Sequence, residues 1–449
     1  MSGFYRRGPH FIKVRFRLTV HAARKASGVS RPVGRRAVVN FPLGPPSHPN
    51  FKRFGFLTKN LPIIFFIKLH QNNPALFIIP FQPSSRKANQ IQQPLVIFVP
   101  QFIPLENLTP IHTVGEFELK SRLLRAIETH RSSTILAAGD DAALIQPPVG
   151  QQLLLTTDQM VEGVHFDLTY FPLKHLGYKL VTHGISDLAG MNATPSQITV
   201  NFALSSKFTL EALDELVAGI LYACDDYQVD WVGGDIAPSH SGLILNISAV
   251  GFAHQAEIIT RKGAQKTDLL CITGDLGGAY AGLSILEREK RIFKEAPSVQ
   301  PELDGFEYIL QKQLRPKART DFHTILKEWG ITPSSMIDVS DSLASEIHQI
   351  CKSNNVGARV YEERLPMEQI VIDTILDLNL EPTTIALNGG EDYELLFTVP
   401  LDQYDHIKNN PHLTIIGHIT DAEDGVILES RNGNEHPIQA LGWETNEHS

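Results

Sequence analysis

The chain has 449 residues, of which 42 % are hydrophobic and 20 % charged, enough for two or three domains with real cores. Its formal net charge is −9, but the first 110 residues hold 16 Lys or Arg and one acid, Glu106, which leaves 24 basic and 48 acidic residues afterwards. This acidic remainder argues against nucleic acid as the main partner, because binding to a phosphate backbone needs a net basic face.

Residues 1–109 form a basic leader without sustained helix or strand periodicity. Three interpretations stay open for it: an organellar transit peptide, a basic partner-binding extension, or upstream sequence without an evolved fold. The third is favoured, so we assign the leader no function and expect it to be unstructured or not native. Its most apolar run, LPIIFFI at 61–67, is seven residues long, whereas a spanning helix needs about 20. No transmembrane segment is predicted.

From residue 110 onward, helix and strand patterns alternate. The first half predicts strands at 134–139, 152–158, 229–234 and 243–253, and helices at 173–191 and 210–224. The second half predicts strands at 269–273, 358–363 and 393–399, and helices near 320–329, 343–352 and 368–379. We therefore expect an N-terminal domain over 110–255 and a C-terminal domain over 256–449.

The three cysteines lie far apart, at Cys224, Cys271 and Cys351, and show no CxxC spacing. This spacing favours neither a disulfide framework nor a zinc site. We therefore expect a reducing, cytoplasmic location.

Acidic residues recur where predicted strands end, at Asp140, Asp141, Asp158 and Asp235, and the pattern of 338–347 indicates one more strand end running into a helix, at Asp338 and Asp341. One such Asp is more often a helix cap or a turn residue, but repetition favours a shared role. Asp187 lies on an apolar helical stripe with Leu176 and Leu180, where a buried carboxylate needs a cation. Oxygen ligands without Cys or His clusters select magnesium or calcium, and magnesium shares its coordination positions with substrate phosphates. The acids therefore predict Mg²⁺ and a polyphosphate.

Glycines and cations in the same regions are suited to holding a polyphosphate. Gly233 and Gly234 precede Asp235, and GDLGG at 274–278 opens a helix, so both segments offer backbone N–H groups to anions. Arg261 and Lys262 follow a predicted strand, and we expect them to balance the negative charge of a site that is otherwise rich in acids. The chain has no GxxxxGK[ST], no HRD or DFG set and no EF-hand loop, which excludes a P-loop enzyme, a protein kinase and an EF-hand.

Eight motifs, taken in order, resemble those of the thiamine-monophosphate kinase family, within the aminoimidazole-ribonucleotide-synthetase-like ATP-binding superfamily. They are GDDAA (139–143), TTDQMVEGVHF (156–166), SDLAGMNATP (186–195), GGD (233–235), RKGA (261–264), TGDLGG (273–278), DVSDSL (338–343) and GGEDYELLF (389–397). The resemblance covers roughly three quarters of the chain. The family usually has glycine where this chain has Ser342, and the leader has no counterpart in it.

The resemblance implies a two-domain fold, with an α/β N-terminal domain that forms a β-barrel dimer core with its twin and an α+β C-terminal domain. It implies ATP-dependent phosphorylation of thiamine monophosphate to thiamine diphosphate by direct in-line transfer assisted by several Mg²⁺ ions. No covalent nucleophile or strong general base is expected, since both reactants are phosphates. The expected partners are ATP, thiamine monophosphate and a second copy of the chain, with neither nucleic acid nor membrane.

Carried over position by position, the resemblance implies three sets of site residues: metal ligands Asp141, Thr156, Thr157, Asp158, Asp187, Asp235, Asp338 and Asp341; ATP-binding residues Gly234, Asp235, Arg261 and Ser340; and substrate-binding residues His165, Glu391 and Trp443. Two alternatives stay open. One is another ATP-using enzyme of the superfamily, of the aminoimidazole ribonucleotide synthetase or selenophosphate synthetase type. The other is a non-catalytic regulator that binds nucleotide and Mg²⁺.

Overall fold

The computed structural model describes residues 11–17, 36–42 and 108–440. The chain divides into two compact units, Met1–Ser85 and Arg86–Ser449, and each is described by itself. In the first unit, strand β1 (Phe11–Arg17) pairs antiparallel with β2 (Arg36–Pro42), a pairing that the aperiodic leader sequence does not predict. Among the described residues, no helix has the length and apolar character needed to cross a membrane.

The second unit contains a five-stranded sheet in its first half. A separate two-stranded pair precedes it in the chain, and the strands of both are β3 (Thr134–Leu136), β4 (Leu144–Ile145), β5 (Gln151–Val161), β6 (Thr194–Ser205), β7 (Asp230–Gly233), β8 (Ile236–Ser239) and β9 (Ile244–His254). Strand β9 lies between β5 and β6 and pairs antiparallel with both. The short strands β7 and β8 pair in parallel with β6, which leaves β5 at the opposite edge.

A seven-stranded sheet occupies the second half of this unit. Its strands are β10 (Leu269–Thr273), β11 (Ser335–Val339), β12 (Val356–Tyr361), β13 (Glu394–Val399), β14 (Leu413–Asp421), β15 (Val426–Glu429) and β16 (Glu435–Pro437). Their order across the sheet is β11, β13, β10, β14, β12, β15, β16. All neighbours are antiparallel except β12 and β15, which are parallel.

Ten α-helices lie in the described part of the second unit. They are α1 (Glu116–Ala126), α2 (Leu173–Gly190), α3 (Leu210–Tyr227), α4 (Gly278–Glu295), α5 (Glu307–Leu314), α6 (Phe322–Trp329), α7 (Leu343–Asn354), α8 (Gln369–Asp377), α9 (Pro382–Asn388) and α10 (Tyr404–Ile407). The predictions for 173–191 and 210–224 are confirmed as α2 and α3. Helix α3 begins where Thr209 accepts a hydrogen bond from the Ala212 N–H at 3.2 Å, which satisfies one donor of its first turn.

The cores follow the strand period of two. On β10, Leu270 and Ile272 join a core that includes α7, whereas Leu269 and Cys271 join a second core that includes α6. Both faces of this strand are buried because helices cover the sheet on both sides, so its sequence is a continuous apolar run. The five-stranded sheet differs: α2 and α3 cover one face, and the edge strand β5 exposes every second side chain on the other.

Candidate active site

The candidate site begins where strand β5 passes helix α2. Successive side chains of a strand point to opposite faces, so Thr156 and Asp158 turn toward α2 while Thr157 turns away. Thr156 Oγ1 donates a hydrogen bond to Asp187 Oδ2, in the last turn of α2. Thr157 Oγ1 instead donates to the carbonyl oxygen of Ile247 at 3.1 Å. The structure therefore brings together the side chains of Thr156, Asp158 and Asp187, but not that of Thr157.

Strand β11 of the other sheet adds a carboxylate at the same end of α2. Asp338 is buried, and its Oδ2 accepts a hydrogen bond from Ser186 Oγ at 2.7 Å. Gly190 makes this close approach possible, since a Cβ there would lie 3.0 Å from the Asp338 nitrogen. The C-terminal end of α2 is thus the place where acids from both sheets meet.

The carboxylates of this cluster differ in exposure: Asp338 is buried, Asp158 and Asp187 are partly buried, and Asp341 is exposed. Burial, reinforced by the charges of Asp187 and Asp341, raises the pKa of Asp158 to about 7. Burial, reinforced by the charge of Asp187, likewise raises the pKa of Asp338 to about 7. Asp158 Oδ2 is buried without a hydrogen-bond partner among the described residues. Because a buried unpaired carboxylate is costly, this cluster is suited to a bound cation.

A cleft of about 520 Å³ opens beside the cluster. Thr156, Asp187 and Asp338 line it together with Arg261 and Lys262. The cleft therefore combines carboxylates that attract cations with cationic side chains that attract phosphate oxygens. A polyphosphate with bound Mg²⁺ carries both kinds of charge.

The loop before β13 packs against the segment that follows β11. The Glu391 N–H donates a hydrogen bond to the Ser340 carbonyl oxygen at 2.7 Å. Gly390 has φ +71°, and a Cβ there would lie 2.1 Å from the Asp341 carbonyl oxygen, so only glycine fits. This packing holds the predicted substrate residue Glu391 beside the predicted ligands Ser340 and Asp341.

His165 lies close to this loop, since the charges of Glu391 and Lys179 both act on its pKa. Its Nδ1 accepts a hydrogen bond from the Val161 N–H at 3.1 Å, so the neutral ring carries its proton on Nε2. Burial, with the nearby charge of His183, lowers the pKa of His165. At neutral pH this ring is therefore an uncharged donor.

Comparison with known proteins gives a consistent result. Residues 139–253 match the family model described as AIR synthase related protein, N-terminal domain. Solved structures similar to this chain include the thiamine-monophosphate kinase from Stenotrophomonas maltophilia K279a (28 % identity, TM-score 0.59, covering 70 % of this chain and 97 % of that one). AaThiL complexed with AMPPCP and TMP is also similar (27 % identity, TM-score 0.57, 75 % of this chain and 98 % of that one).

The sequence is 33 % identical to the thiamine-monophosphate kinase of Buchnera aphidicola subsp. Schizaphis graminum (strain Sg), over 70 % of this chain and 94 % of that relative. The chain belongs to the thiamine-monophosphate kinase family. The family that the sequence motifs indicated is therefore confirmed. The part of the chain that carries it has the AIR synthase-like fold, with mixed α/β content.

Two acids expected as metal ligands in a thiamine-monophosphate kinase lie apart from the cluster in this chain. Asp235 is exposed and forms an ion pair with Lys120 at 3.0 Å, which lowers its pKa. Asp141 is exposed, and its backbone N–H donates to Asp140 Oδ1 at 2.8 Å. Neither acid is among the charges that raise the pKa of Asp158. The single chain thus gathers Asp158, Asp187, Asp338 and Asp341, but not these two.

Of the predicted binding residues, Gly234 has a structural reason to be glycine and Trp443 is not described. Gly234 has φ +148°, and a Cβ there would lie 1.7 Å from the Val200 carbonyl oxygen, so its backbone must pass strand β6 closely. Packing alone therefore requires a glycine at this position. Trp443 lies outside the described residues.

The carboxylates do not form a ready-made metal cage. Within the described ranges, no three His, Cys, Asp or Glu side chains are grouped to hold an ion by themselves. Hydroxyls occupy some of their oxygens, as Thr156 does on Asp187 and Ser186 does on Asp338. Mg²⁺ is commonly bound by one or two carboxylates, with waters and substrate phosphates in the remaining positions, so this arrangement remains compatible with it.

Helix α2 also carries two polar residues that were not predicted as site residues, Lys179 and His183. Lys179, His183 and Asp187 are spaced four residues apart and therefore share one face of α2. Lys179 Nζ bonds Glu391 Oε2 at 2.9 Å, and His183 Nδ1 lies 3.1 Å from the Tyr393 hydroxyl. The signal was present in the sequence, since a polar stripe on a buried helix needs partners.

Glu346, in the first turn of α7, is an acid of the candidate site that the motifs did not predict. It is buried, and burial together with the charges of Asp338 and Asp341 raises its pKa to about 8. Its spacing, three residues after Leu343 and four before Ile350, placed it on the packed side of the helix. The candidate site therefore contains one carboxylate more than the motifs indicate.

Proposed function

We propose that this protein transfers the γ-phosphoryl group of ATP to thiamine monophosphate and forms thiamine diphosphate. The observation that carries the proposal is the cleft in which Thr156, Asp187 and Asp338 lie together with Arg261. The related enzymes bear this activity in their names, and AaThiL was solved with AMPPCP and TMP. Two anionic reactants need positioning and charge neutralisation more than a covalent intermediate, so no nucleophile or strong general base is assigned.

Mg²⁺ fits the acidic cluster. The buried, unpartnered Asp158 Oδ2 and the raised pKa values of Asp158 and Asp338 are features that a bound cation would relieve. Asp158, Asp187, Asp338 and Asp341 would hold the ions, and Asp141, Thr156, Thr157 and Asp235 are the further ligands proposed from the motifs. When bound, Mg²⁺ neutralises phosphate charge and stabilises the transferred group.

The chain's own residues bind and orient the two reactants. Arg261 lines the cleft, which supports its assignment to ATP phosphate oxygens, and Gly234, Asp235 and Ser340 are the further ATP-binding residues proposed from the motifs. Glu391 offers an acceptor and a negative charge to the amine and the cationic ring of thiamine. His165 offers its Nε2–H as a donor, and Trp443 is assigned to the same substrate.

A homodimer with a β-barrel core is part of the proposal. Strand β5 is a sheet edge whose Leu153 and Leu155 side chains are 48 % and 67 % exposed. An exposed apolar strand edge is a ready template for pairing with another chain. A second copy of this chain would cover it. A cytoplasmic location and domains at 110–255 and 256–449 are further proposals that rest on sequence.

A coupled assay tests the proposed activity. The full chain incubated with ATP, Mg²⁺ and thiamine monophosphate is expected to form ADP and thiamine diphosphate in equal amounts, and no product without Mg²⁺. Absence of thiamine diphosphate at saturating substrate would reject the proposal. ATP binding by calorimetry without turnover would instead favour a regulator.

A variant pair links that activity to the cleft. Asp187→Asn removes a charge that lines the cleft, and we expect kcat to fall by about 100-fold or more. The control is Asp214→Asn, because Asp214 forms an ion pair with Arg122 on the surface and does not line the cleft. Equal rates for the two variants would show that the cleft is not the active site.

A further inference from the structure

Lys179 is a charged residue with no exposed surface, in the middle of helix α2. Removing an ammonium group from water costs several kcal/mol unless the fold supplies acceptors. The neighbours Leu176 and Leu180 are equally buried and provide none. The energetic cost of this lysine therefore has to be offset by contacts across the packed interior.

Two acceptors and a ring surround its Nζ atom. Nζ donates to Glu391 Oε2 at 2.9 Å and to the Gln313 carbonyl oxygen at 3.2 Å. It also lies 5.4 Å from the centre of the Phe171 ring, at a distance typical of a cation–π contact. With no exposed surface, Lys179 cannot itself contact a substrate from solvent. Its one charged partner in these contacts is Glu391.

The backbone of Glu391 is fixed by a hydrogen bond, while part of its side chain is accessible to solvent. Its backbone has φ +57°, an uncommon conformation for a residue with a side chain, and its N–H bonds the Ser340 carbonyl. Its side chain keeps 29 % exposure although Oε2 is bound to Lys179. One face of the carboxylate is therefore fixed by a buried charge, while the remainder is accessible to a ligand.

We propose that Lys179 is a positioning residue that fixes the Glu391 carboxylate in the orientation that binds the thiamine moiety of the substrate. This inference rests on the proposed function and deepens it. The substrate part recognised here is a cationic, amine-bearing heterocycle, for which Glu391 supplies the acceptor and His165 the donor. Without Lys179, the Glu391 carboxylate would lose its fixed partner and be free to rotate.

Steady-state kinetics on a double-mutant cycle test the proposal. Lys179→Met keeps an unbranched side chain only one atom shorter and removes its charge, and it should raise KM for thiamine monophosphate about tenfold while KM for ATP stays within about twofold. Glu391→Gln should show the same split between substrates. The double variant should be no worse than Glu391→Gln alone, because Lys179 then has no carboxylate to orient.

A matched control separates orientation from general loss of stability. Lys266→Met removes an exposed lysine that pairs with Asp421. It should leave kcat, KM for thiamine monophosphate and KM for ATP unchanged. Thermal unfolding of every variant sets an assay temperature at which all are folded. If Glu391→Gln fails to fold because it leaves the buried Lys179 ammonium without its carboxylate, the double variant, which removes both charges, replaces it, and Lys179→Met should then raise KM for thiamine monophosphate no more than the double variant does.

Three outcomes would overturn the inference. They are an unchanged KM for thiamine monophosphate in Lys179→Met, an equal rise in KM for both substrates, and a double variant whose KM exceeds that of Glu391→Gln by more than about threefold. Failure of the proposed function is recognised separately, since the wild-type protein would then form no thiamine diphosphate at all.

Discussion

At the scale of single residues, the candidate site contains carboxyl groups whose pKa values are raised in the folded protein, so that folding disfavours their ionised form. Asp158 and Asp338 have pKa values raised to about 7, and Glu346 to about 8, chiefly because they are buried. An acid with a raised native pKa weakens the folded state wherever it is ionised. Groups of this kind cluster at functional sites, because a ligand can supply the missing compensation.

Asp158→Asn should therefore stabilise the protein in the absence of Mg²⁺. The native pKa of about 7 lies above the ordinary value of 3.8, so the energetic cost is absent below about pH 4, grows as pH rises and is complete above about pH 7. We expect a gain of about 1–3 kcal/mol at pH 8 that disappears toward pH 4. Urea unfolding in EDTA at several pH values measures it.

Asp235→Asn is the matched control, because this carboxylate is exposed and paired with Lys120, which lowers its pKa. It should give no gain at any pH. A gain for Asp158→Asn that is equal at pH 5 and pH 8 would contradict the electrostatic explanation. Added Mg²⁺ should stabilise the wild-type protein more than Asp158→Asn, since binding to the native state adds to stability.

At the scale of elements, the start of helix α7 accounts for the residue that departs from the family motif. Ser342 is the N-cap of this helix, and its Oγ accepts a hydrogen bond from the Ser345 N–H at 3.1 Å. Its backbone is extended, with φ −174°, so the position does not need glycine. At this position the chain therefore has a side-chain N-cap hydrogen bond in place of the backbone flexibility of a glycine.

Ser342→Ala should destabilise the protein by about 1 kcal/mol, whereas Ser342→Gly should cost only a few tenths of that unit. The reason is that alanine leaves the Ser345 N–H without its cap, while glycine tolerates the N-cap position. Thermal or urea unfolding of the two variants decides the point. Equal stability of Ser342→Ala and wild type would show that the cap is not significant.

Elements were predictable where the pattern was long or continuous. Helix α2 and the buried strand β10 are found close to their predicted bounds. The apolar run at 134–139 forms only the three-residue strand β3. Among the described residues, its strand partner is the two-residue β4 alone, and its Ile135 and Leu136 stay exposed. A local apolar pattern does not reveal whether a sheet neighbour is available.

At the scale of the whole molecule, no helix of the described residues covers one face of the five-stranded sheet. Strand β5 turns Leu153, Leu155 and Thr157 outward on that face, while Thr156 and Asp158 face α2. An apolar face of this kind is expected to be covered by a partner. The proposed homodimer covers it with the same face of a second copy.

Leu153→Asp should shift the protein from dimer to monomer, since a charge in a paired apolar face is costly to bury. Leu153 does not line the cleft, so the change addresses association rather than binding. Sedimentation velocity over a range of concentrations measures the shift. Leu401→Asp, at a leucine that is 55 % exposed elsewhere, should leave the mass unchanged. A monomeric wild type would reject the dimer.

The sequence by itself determined the family and most of the acids of the site. Motif order and residue type depend on local sequence, and Asp158, Asp187, Asp338 and Asp341 follow directly from them. Only the tertiary structure decided which of these acids meet. Thr157 turns away because strand side chains alternate, and Asp235 pairs with Lys120 on the surface. Lys179 and Glu391 are 212 residues apart, and only the packing of α2 against the loop before β13 brings them together.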